Sequence, residues 1–134
     1  MNNLIKNRKA ETSFSLSISF FIIITTFIAM ILIMPIFTFK QDLDHFANTM
    51  LRQAEIDGTV DQNDLYTYLC NVYGFSPIII WEWDKYNGTK KVQLNKKIKI
   101  TLESEYIYDV GGFLHKITIP LKTVRYGKSE VYWK

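Results

Sequence analysis

Phe14 to Phe39 (FSLSISFFIIITTFIAMILIMPIFTF) is a stretch without a single charged side chain, and it sets the terms on which this chain folds. A helix of about 20 predominantly apolar residues is enough to cross the hydrocarbon core of a bilayer, and this run is longer. A cleaved secretory signal has an apolar region of only about 7–15 residues, ending in a small-x-small site. Pro35 to Lys40 (PIFTFK) contains no such site. The run is therefore read as a retained transmembrane anchor. Pro35, late in the run, removes one helical hydrogen bond, so a kink or local unwinding is expected there.

Charge gives the anchor a direction. Lys6, Arg8, Lys9 and Lys40 stand against Glu11 alone, and beyond Lys40 the twelve cations and twelve anions cancel, so the net +3 belongs to the flanks of the apolar run. An excess of Lys and Arg beside a span marks its cytoplasmic side. Lys6, Arg8 and Lys9 precede the run, whereas Asp42 and Asp44 follow it. The expectation is a single-pass cell-membrane protein with a cytoplasmic N-terminus and an extracytoplasmic C-terminal domain. A basic excess of this kind is no sign of nucleic-acid binding.

After the run the apolar positions change period. Leu43, Phe46, Ala47, Met50, Leu51 and Ala54 follow i, i+3, i+4, i+7, i+8, i+11, which predicts an amphipathic continuation of the helix. Asp42, Asp44, Asn48, Arg52 and Glu55 take its other side, and Gly58 is a natural terminator. Breaks at Pro35 or near Lys40 would divide this long helix in two. A second helix is predicted over Gln62–Tyr73, capped by Asp61 or Thr59, with Leu65, Leu69 and Val72 inward and Gly74 at its end.

Strand-like segments fill the remainder. Ile78–Trp83 is β-branched and aromatic, and Asn87-Gly88 behind it is a strong turn signal. Val92 to Leu94 is a short apolar step. Lys97–Tyr108 alternates, with Ile98, Ile100, Leu102, Tyr106 and Tyr108 on one face. Gly111-Gly112 turns the chain, and His115–Val124 reads as a strand that Pro120 places at a sheet edge. Ser129–Lys134 reads as a last short strand. The predicted class is α+β and membrane-anchored, with a basic leader (1–13), a transmembrane helix (14–39), an amphipathic stalk (40–58) and an extracytoplasmic α+β domain (59–134). The soluble part, about 95 residues, suits one domain.

Chemistry is scarce. His45 and His115 lie far apart, no HExxH or Cys/His ligand cluster occurs, and no glycine-rich phosphate loop is present. Glu103 and Glu105 alternate with Thr and Lys positions and read as an exposed strand face. Cys70, the single cysteine, makes an intrachain disulfide impossible and reads as a partly buried thiol, with an intermolecular disulfide as the other reading. No enzyme, cofactor or metal site is expected. Two features point to association instead. Thr12, Ser15, Ser19 and Thr26 fall within about 60° of one another on a helix, a small polar seam of the kind that joins membrane helices; the same hydroxyls also suit bonding to their own i−4 carbonyls. Residues 41–84 hold eight acids and one base, while 85–134 hold eleven bases and four acids, so the halves can attract within one subunit or between neighbours.

A basic leader, a glutamate at the edge of an apolar helix, an amphipathic continuation and a small sheet domain together resemble type IV pilin-like proteins. The chain is closest in character to the TadE-like minor pilins of tight-adherence systems and to an uncharacterised pilin-like family of Gram-positive bacteria associated with them. The residues that carry this resemblance are Phe46-Ala47, Arg52-Gln53-Ala54-Glu55-Ile56-Asp57-Gly58, and the ending Gly127-Lys128-Ser129-Glu130-Val131-Tyr132-Trp133-Lys134. The resemblance implies a non-enzymatic structural subunit of a pilus or secretion apparatus, with other pilin-like subunits or assembly-platform proteins, homo- or hetero-oligomeric, as partners through the N-terminal helix. It also implies a leader-peptidase junction at Ala10-Glu11, where alanine stands in the place usually held by glycine. Glu11 would pair with a neighbouring subunit's N-terminal amine, or simply balance Arg8 and Lys9. The alternative is a single-pass accessory or sensor protein whose outer domain binds a partner.

Overall fold

The computed structural model describes the backbone of residues 2–108 and 116–134, and side chains over 14–108 and 116–134. Its elements are α1 (Asn2–Asp57), α2 (Asn63–Tyr73), β1 (Ile78–Trp83), β2 (Lys97–Tyr108) and β3 (Ile117–Lys128). The class is α+β, with one long apolar N-terminal helix, a short second helix and a three-stranded antiparallel sheet in the order β1-β2-β3. The chain divides into two compact units, residues 1–37 and 38–134.

The first unit is helix alone. Its apolar window has a mean hydropathy of 2.7 and none of it is buried by protein, which makes it long and apolar enough to span a membrane. The helix is continuous through Pro35 and past Lys40, as the amphipathic continuation predicts, and neither alternative break is made. Proline removes a single donor there, and the bonds on either side still propagate a helix already nucleated.

The second unit is built around the other end of that helix. Leu43, Phe46, Ala47, Met50, Leu51 and Ala54 are buried and meet Ile98, Ile100 and Leu102 of the central strand, all fully buried. Full burial of side chains of this size stabilises by about 1.5–3 kcal/mol each, so this seam holds the domain together. Ile79, Trp81, Trp83 and Leu121 widen the apolar face of the sheet. Pairing runs Ile79↔Leu102, Trp81↔Ile100 and Trp83↔Ile98 on one side, and Leu102↔Thr123, Ile100↔Arg125 and Ile98↔Gly127 on the other. β3 is an edge strand, as Pro120 requires. Asn87 and Gly88 both have positive φ (48° and 68°), the conformation an Asn-Gly turn adopts.

Four local expectations are corrected. The second helix begins one residue later, with Gln62 at the N-cap and no side-chain cap bond; Thr59 Oγ1 instead accepts from the Asp61 amide at 3.3 Å. Val72 is 57% exposed, and the inner face of α2 is Leu69 with Leu65, Tyr66, Cys70 and Tyr73 packed around the core. Tyr66 and Tyr73 set that face because each stacks on Phe46, at 5.9 and 6.0 Å between ring centroids. β3 extends to Lys128, since β2 offers it twelve pairing positions from Tyr108 back to Lys97. The tail after Ser129 is not a strand. Its backbone groups are taken individually by loops and side chains, as set out below. The double glycine and His115 lie outside the described residues.

Candidate functional site: the anchor helix and its C-terminal latch

The two segments singled out in the sequence, 52–58 and 127–134, come together in space. Gly58 ends α1 with φ +62° and is followed by loop, so the chain leaves the helix at a residue that needs no Cβ. Val131 and Trp133 sit over that glycine: a Cβ built on it would lie 2.7 Å from Val131 Cβ and 2.9 Å from Trp133 Nε1. The Trp133 indole donates to both Gly58 O (3.2 Å) and Val92 O (3.1 Å). Gln93 then closes a reciprocal pair with the tail, its amide donating to Trp133 O (2.8 Å) and its carbonyl oxygen accepting from the Trp133 amide (2.6 Å). Lys91 lies 4.1 Å over the Trp133 ring, a cation–π contact.

Ser129 is 2% exposed and donates to Val92 O at 2.9 Å. Its amide donates to Lys96 O and its carbonyl accepts from Asn95 N. The Glu130 amide donates to Glu55 O, and its carboxylate meets Arg52 at 2.6 Å. Of the ending SEVYWK, then, Ser129, Val131 and Trp133 face inward, while Tyr132 and Lys134 are exposed. The tail is a latch that closes the exit of α1 against the loop at 91–95.

Above the latch, the polar side of α1 is equally engaged. Asp44 accepts a hydrogen bond from Thr123 Oγ1 and lies 3.3 Å from Arg125. Asn48 Oδ1 accepts from Arg125 Nε at 3.0 Å, Arg52 reaches Glu130, and Glu55 accepts from the Lys128 amide at 3.1 Å. Positions 44, 48, 52 and 55 form one helical stripe facing β3 and the tail. Burial works to raise the Asp44 carboxyl, but hydrogen bonds from Thr123 and Lys40 and the charges of Lys40 and Arg125 outweigh it and hold its pKa below the usual value. Sequence reading assigned these residues to the side of the helix away from its apolar stripe. The i, i+4, i+8, i+11 spacing of charged and amide side chains was the available signal.

The opposed charge halves meet within the chain, at Asp44–Arg125, Asp61–Lys90 (2.9 Å) and Glu82–Lys99 (2.6 Å). Glu103 is paired across the strands with Lys122 at 2.7 Å. A cleft of about 620 Å³ between Phe75–Ile78 and the β2–β3 ladder is lined by this ion pair and by Ser76, Ser104 and Glu105, with no histidine or cysteine. Cys70 is a free, half-buried thiol and His45 is exposed. Among the described residues, no three His, Cys, Asp or Glu side chains are placed to hold a metal ion.

In the apolar part of α1, Ser19 Oγ donates to Ser15 O (3.0 Å) and Thr26 Oγ1 to Ile22 O (2.8 Å). The hydroxyl protons of Ser19 and Thr26, two of the four seam residues, are thus used inside their own helix, while their lone pairs remain acceptors. The side chains of Lys6, Arg8, Lys9, Ala10, Glu11 and Thr12 lie outside the described residues.

No curated protein and no solved structure matches the chain. A family model described as a domain of unknown function, DUF4320, matches residues 20–134, which takes in most of the apolar run, the whole sheet and the latch. The chain belongs to the DUF4320 family.

Proposed function

We propose that this protein is a membrane-anchored, pilin-like structural subunit, a minor pilin or pseudopilin of a tight-adherence or type IV-like pilus or secretion apparatus. The observation that carries the reading is α1 itself: one helix that contains the uncharged run Phe14–Phe39, whose most apolar window is uncovered, and whose last part supplies core residues of a small antiparallel sheet domain. A subunit that packs through its helix and displays its domain needs that division. The segments behind the pilin-like resemblance support it too, because 52–58 and 127–134 bind each other and so form one structural motif. In this reading the leader is cytoplasmic, the domain is extracytoplasmic, and the chain does no chemistry of its own.

Mass spectrometry of the mature N-terminus tests it first. A chain that starts at Glu11 fits prepilin-type processing at Ala10-Glu11. Cysteines at Ser15, Ser19 and Thr26, in a background lacking Cys70, should cross-link to like or related helices, and sheared surface fractions should contain the protein. An intact leader with no cross-link and nothing in sheared fractions sinks the proposal. The i−4 bonding of Ser19 and Thr26 favours a second reading, a plain single-pass anchor whose outer domain binds a partner. That reading expects the intact leader.

A further inference from the structure

We propose that the free edge of β1 is a strand-addition site. An extended segment of a partner chain pairs with it, bringing apolar side chains to the cleft beside that edge and a lysine or arginine to the acidic hollow next to the cleft. The site lies wholly within residues 38–134 and draws nothing from the apolar run. β1 ends the sheet, with β2 on one side and no strand on the other. The Asp84 amide donates to Lys97 O at 3.3 Å, one step beyond the Trp83↔Ile98 pair. Hydrogen-bonded pairs alternate in an antiparallel ladder, so Ile78, Ile80 and Glu82 bond to β2, while Ile79, Trp81 and Trp83 aim their N–H and C=O groups outward. Among the described residues nothing bonds to the main chain of Ile79 or Trp81 on that side. The other edge of the sheet is closed. Pro120 has no N–H, Lys122 O accepts from Lys40 Nζ at 2.8 Å, and the Lys128 amide donates to Glu55 at 3.1 Å. An open edge is a template for another strand, and proteins that do not use one block it. Here one edge is blocked and the other is left open.

The surroundings of that edge define its occupant. A cleft of about 470 Å³ is lined by Met50 and Tyr66 from the helices and by Ile79, Trp81 and Trp83 from the strand. Side chains of an added strand alternate between the two faces of a sheet, so every second one comes to this cleft. Asp61, Gln62 and Asn63 also line it and are shared with a second hollow of about 610 Å³, to which Asp57 and Asp64 add carboxylates. Residues 57–84 hold five acids and no base. Lys90 and Lys99 pair with Asp61 and Glu82. Asp57 meets the neutral amides of Gln53 and Gln62, and Asp57, Asp64 and Asp84 have no ion pair among the described residues. A cation on the partner is the electrostatic complement. A row of open main-chain groups is satisfied by another main chain, with alternate side chains giving the specificity. A second copy of this chain does not supply that complement: its β3 edge is closed, and its β1 brings Glu82 and Asp84, acid against acid.

The test uses the full chain in detergent micelles and a panel of fluorescein-labelled synthetic peptides, in which threonine alternates with valine, leucine or phenylalanine between terminal lysines. The expected result is saturable binding of at least one peptide by fluorescence anisotropy. Amide hydrogen exchange should slow at Ile79 and Trp81 and stay unchanged at Tyr126, on the opposite edge. A version N-methylated along its central residues should bind at least about tenfold more weakly, because each added-strand hydrogen bond is lost. Exchanging the terminal lysines for glutamates should weaken binding as well. Ile79→Pro removes an outward N–H while sparing the β2 pairing, and should abolish binding in a chain that still unfolds cooperatively. No binding by any peptide, undiminished binding after N-methylation, or binding without protection of Ile79 and Trp81 overturns the proposal. So does protection of those amides in the chain alone that rises with its concentration, since a second copy then takes the edge.

Discussion

Two glycines with nearly the same backbone conformation allow the latch to be weighed. Gly58 has φ +62° and Gly74 has φ +74°, so alanine at either position suffers the left-handed penalty, about 1–2 kcal/mol. Their surroundings differ. A Cβ at Gly74 meets nothing within 4 Å, whereas one at Gly58 falls 2.7 Å from Val131 Cβ and 2.9 Å from Trp133 Nε1. Real Cβ atoms do not approach so closely, so Gly58→Ala must displace the tail. Overpacking of this kind costs about 1–3 kcal/mol, and loosening Trp133 strains its bonds to Gly58 O and Val92 O as well. The expectation is that Gly74→Ala costs about 1–2 kcal/mol and Gly58→Ala about 2–5 kcal/mol. Both are measured by urea unfolding of the full chain in detergent micelles, followed by tryptophan fluorescence. Removing the obstacle should remove the excess: with Val131→Gly and Trp133→Ala in place, Gly58→Ala should cost no more than Gly74→Ala. Equal costs in the otherwise unaltered chain would refute a tail seated on Gly58.

Other substitutions separate the parts of the site. Glu130→Ala breaks only an exposed pair with Arg52, whose side chains are 59% and 55% exposed, and should cost less than about 1 kcal/mol in the same unfolding assay. Glu55→Ala orphans the Lys128 amide and removes a carboxylate only 18% exposed, so about 1–3 kcal/mol is expected. Phe46→Ala empties the centre of the α1–α2 aromatic cluster and should cost about 3–5 kcal/mol. Asp44 adds a pH dependence. Its folded pKa is depressed, so its contribution is fully present above the ordinary value of 3.8 and is lost as pH falls through the lower, folded value. Acid titration of stability should show this loss below about pH 3.8, and Asp44→Asn should abolish that part of it while being less stable at neutral pH.

What the sequence disclosed was whatever local periodicity encodes. The uncharged run, the i, i+3, i+4 stripe from Leu43 to Ala54, the alternation of Lys97–Tyr108 and the Asn87-Gly88 turn each depend on neighbours within a few residues. The α+β architecture followed from them. Features set by contacts distant along the chain were hidden. Val72 has the right spacing for an inner stripe, yet Tyr66 and Tyr73 displace it because Phe46, about twenty residues earlier, offers them ring faces. Ser129–Lys134 has the composition of a strand. By then the β2 ladder ends at Lys97, and Lys96, Asn95 and Gln93 take the tail's backbone groups singly. Asp44, Asn48, Arg52 and Glu55 look like solvated polar residues until β3 and the tail are placed beside them.

α1 is long and apolar enough to cross a membrane over its first unit, and its sequence changes character within a single turn after Phe39. From Phe14 to Phe39 the helix carries no charged side chain, which suits lipid; from Leu43 it is apolar on one side only, which suits a packed domain. The domain supplies partners where the change falls. Phe39 stacks on Phe75 at 4.6 Å, and Lys40 is held by Lys122 O and Asp44. Half of the domain's buried apolar side chains among the described residues belong to α1, Leu43, Phe46, Ala47, Met50, Leu51 and Ala54. The sheet therefore cannot keep its core without the helix that continues the anchor, and the latch at Gly58 fixes where that helix stops. A receptor domain that acts on its own would be served by a flexible tether. A domain that takes half of its described buried apolar residues from the helix leading into it suits the structural role proposed above.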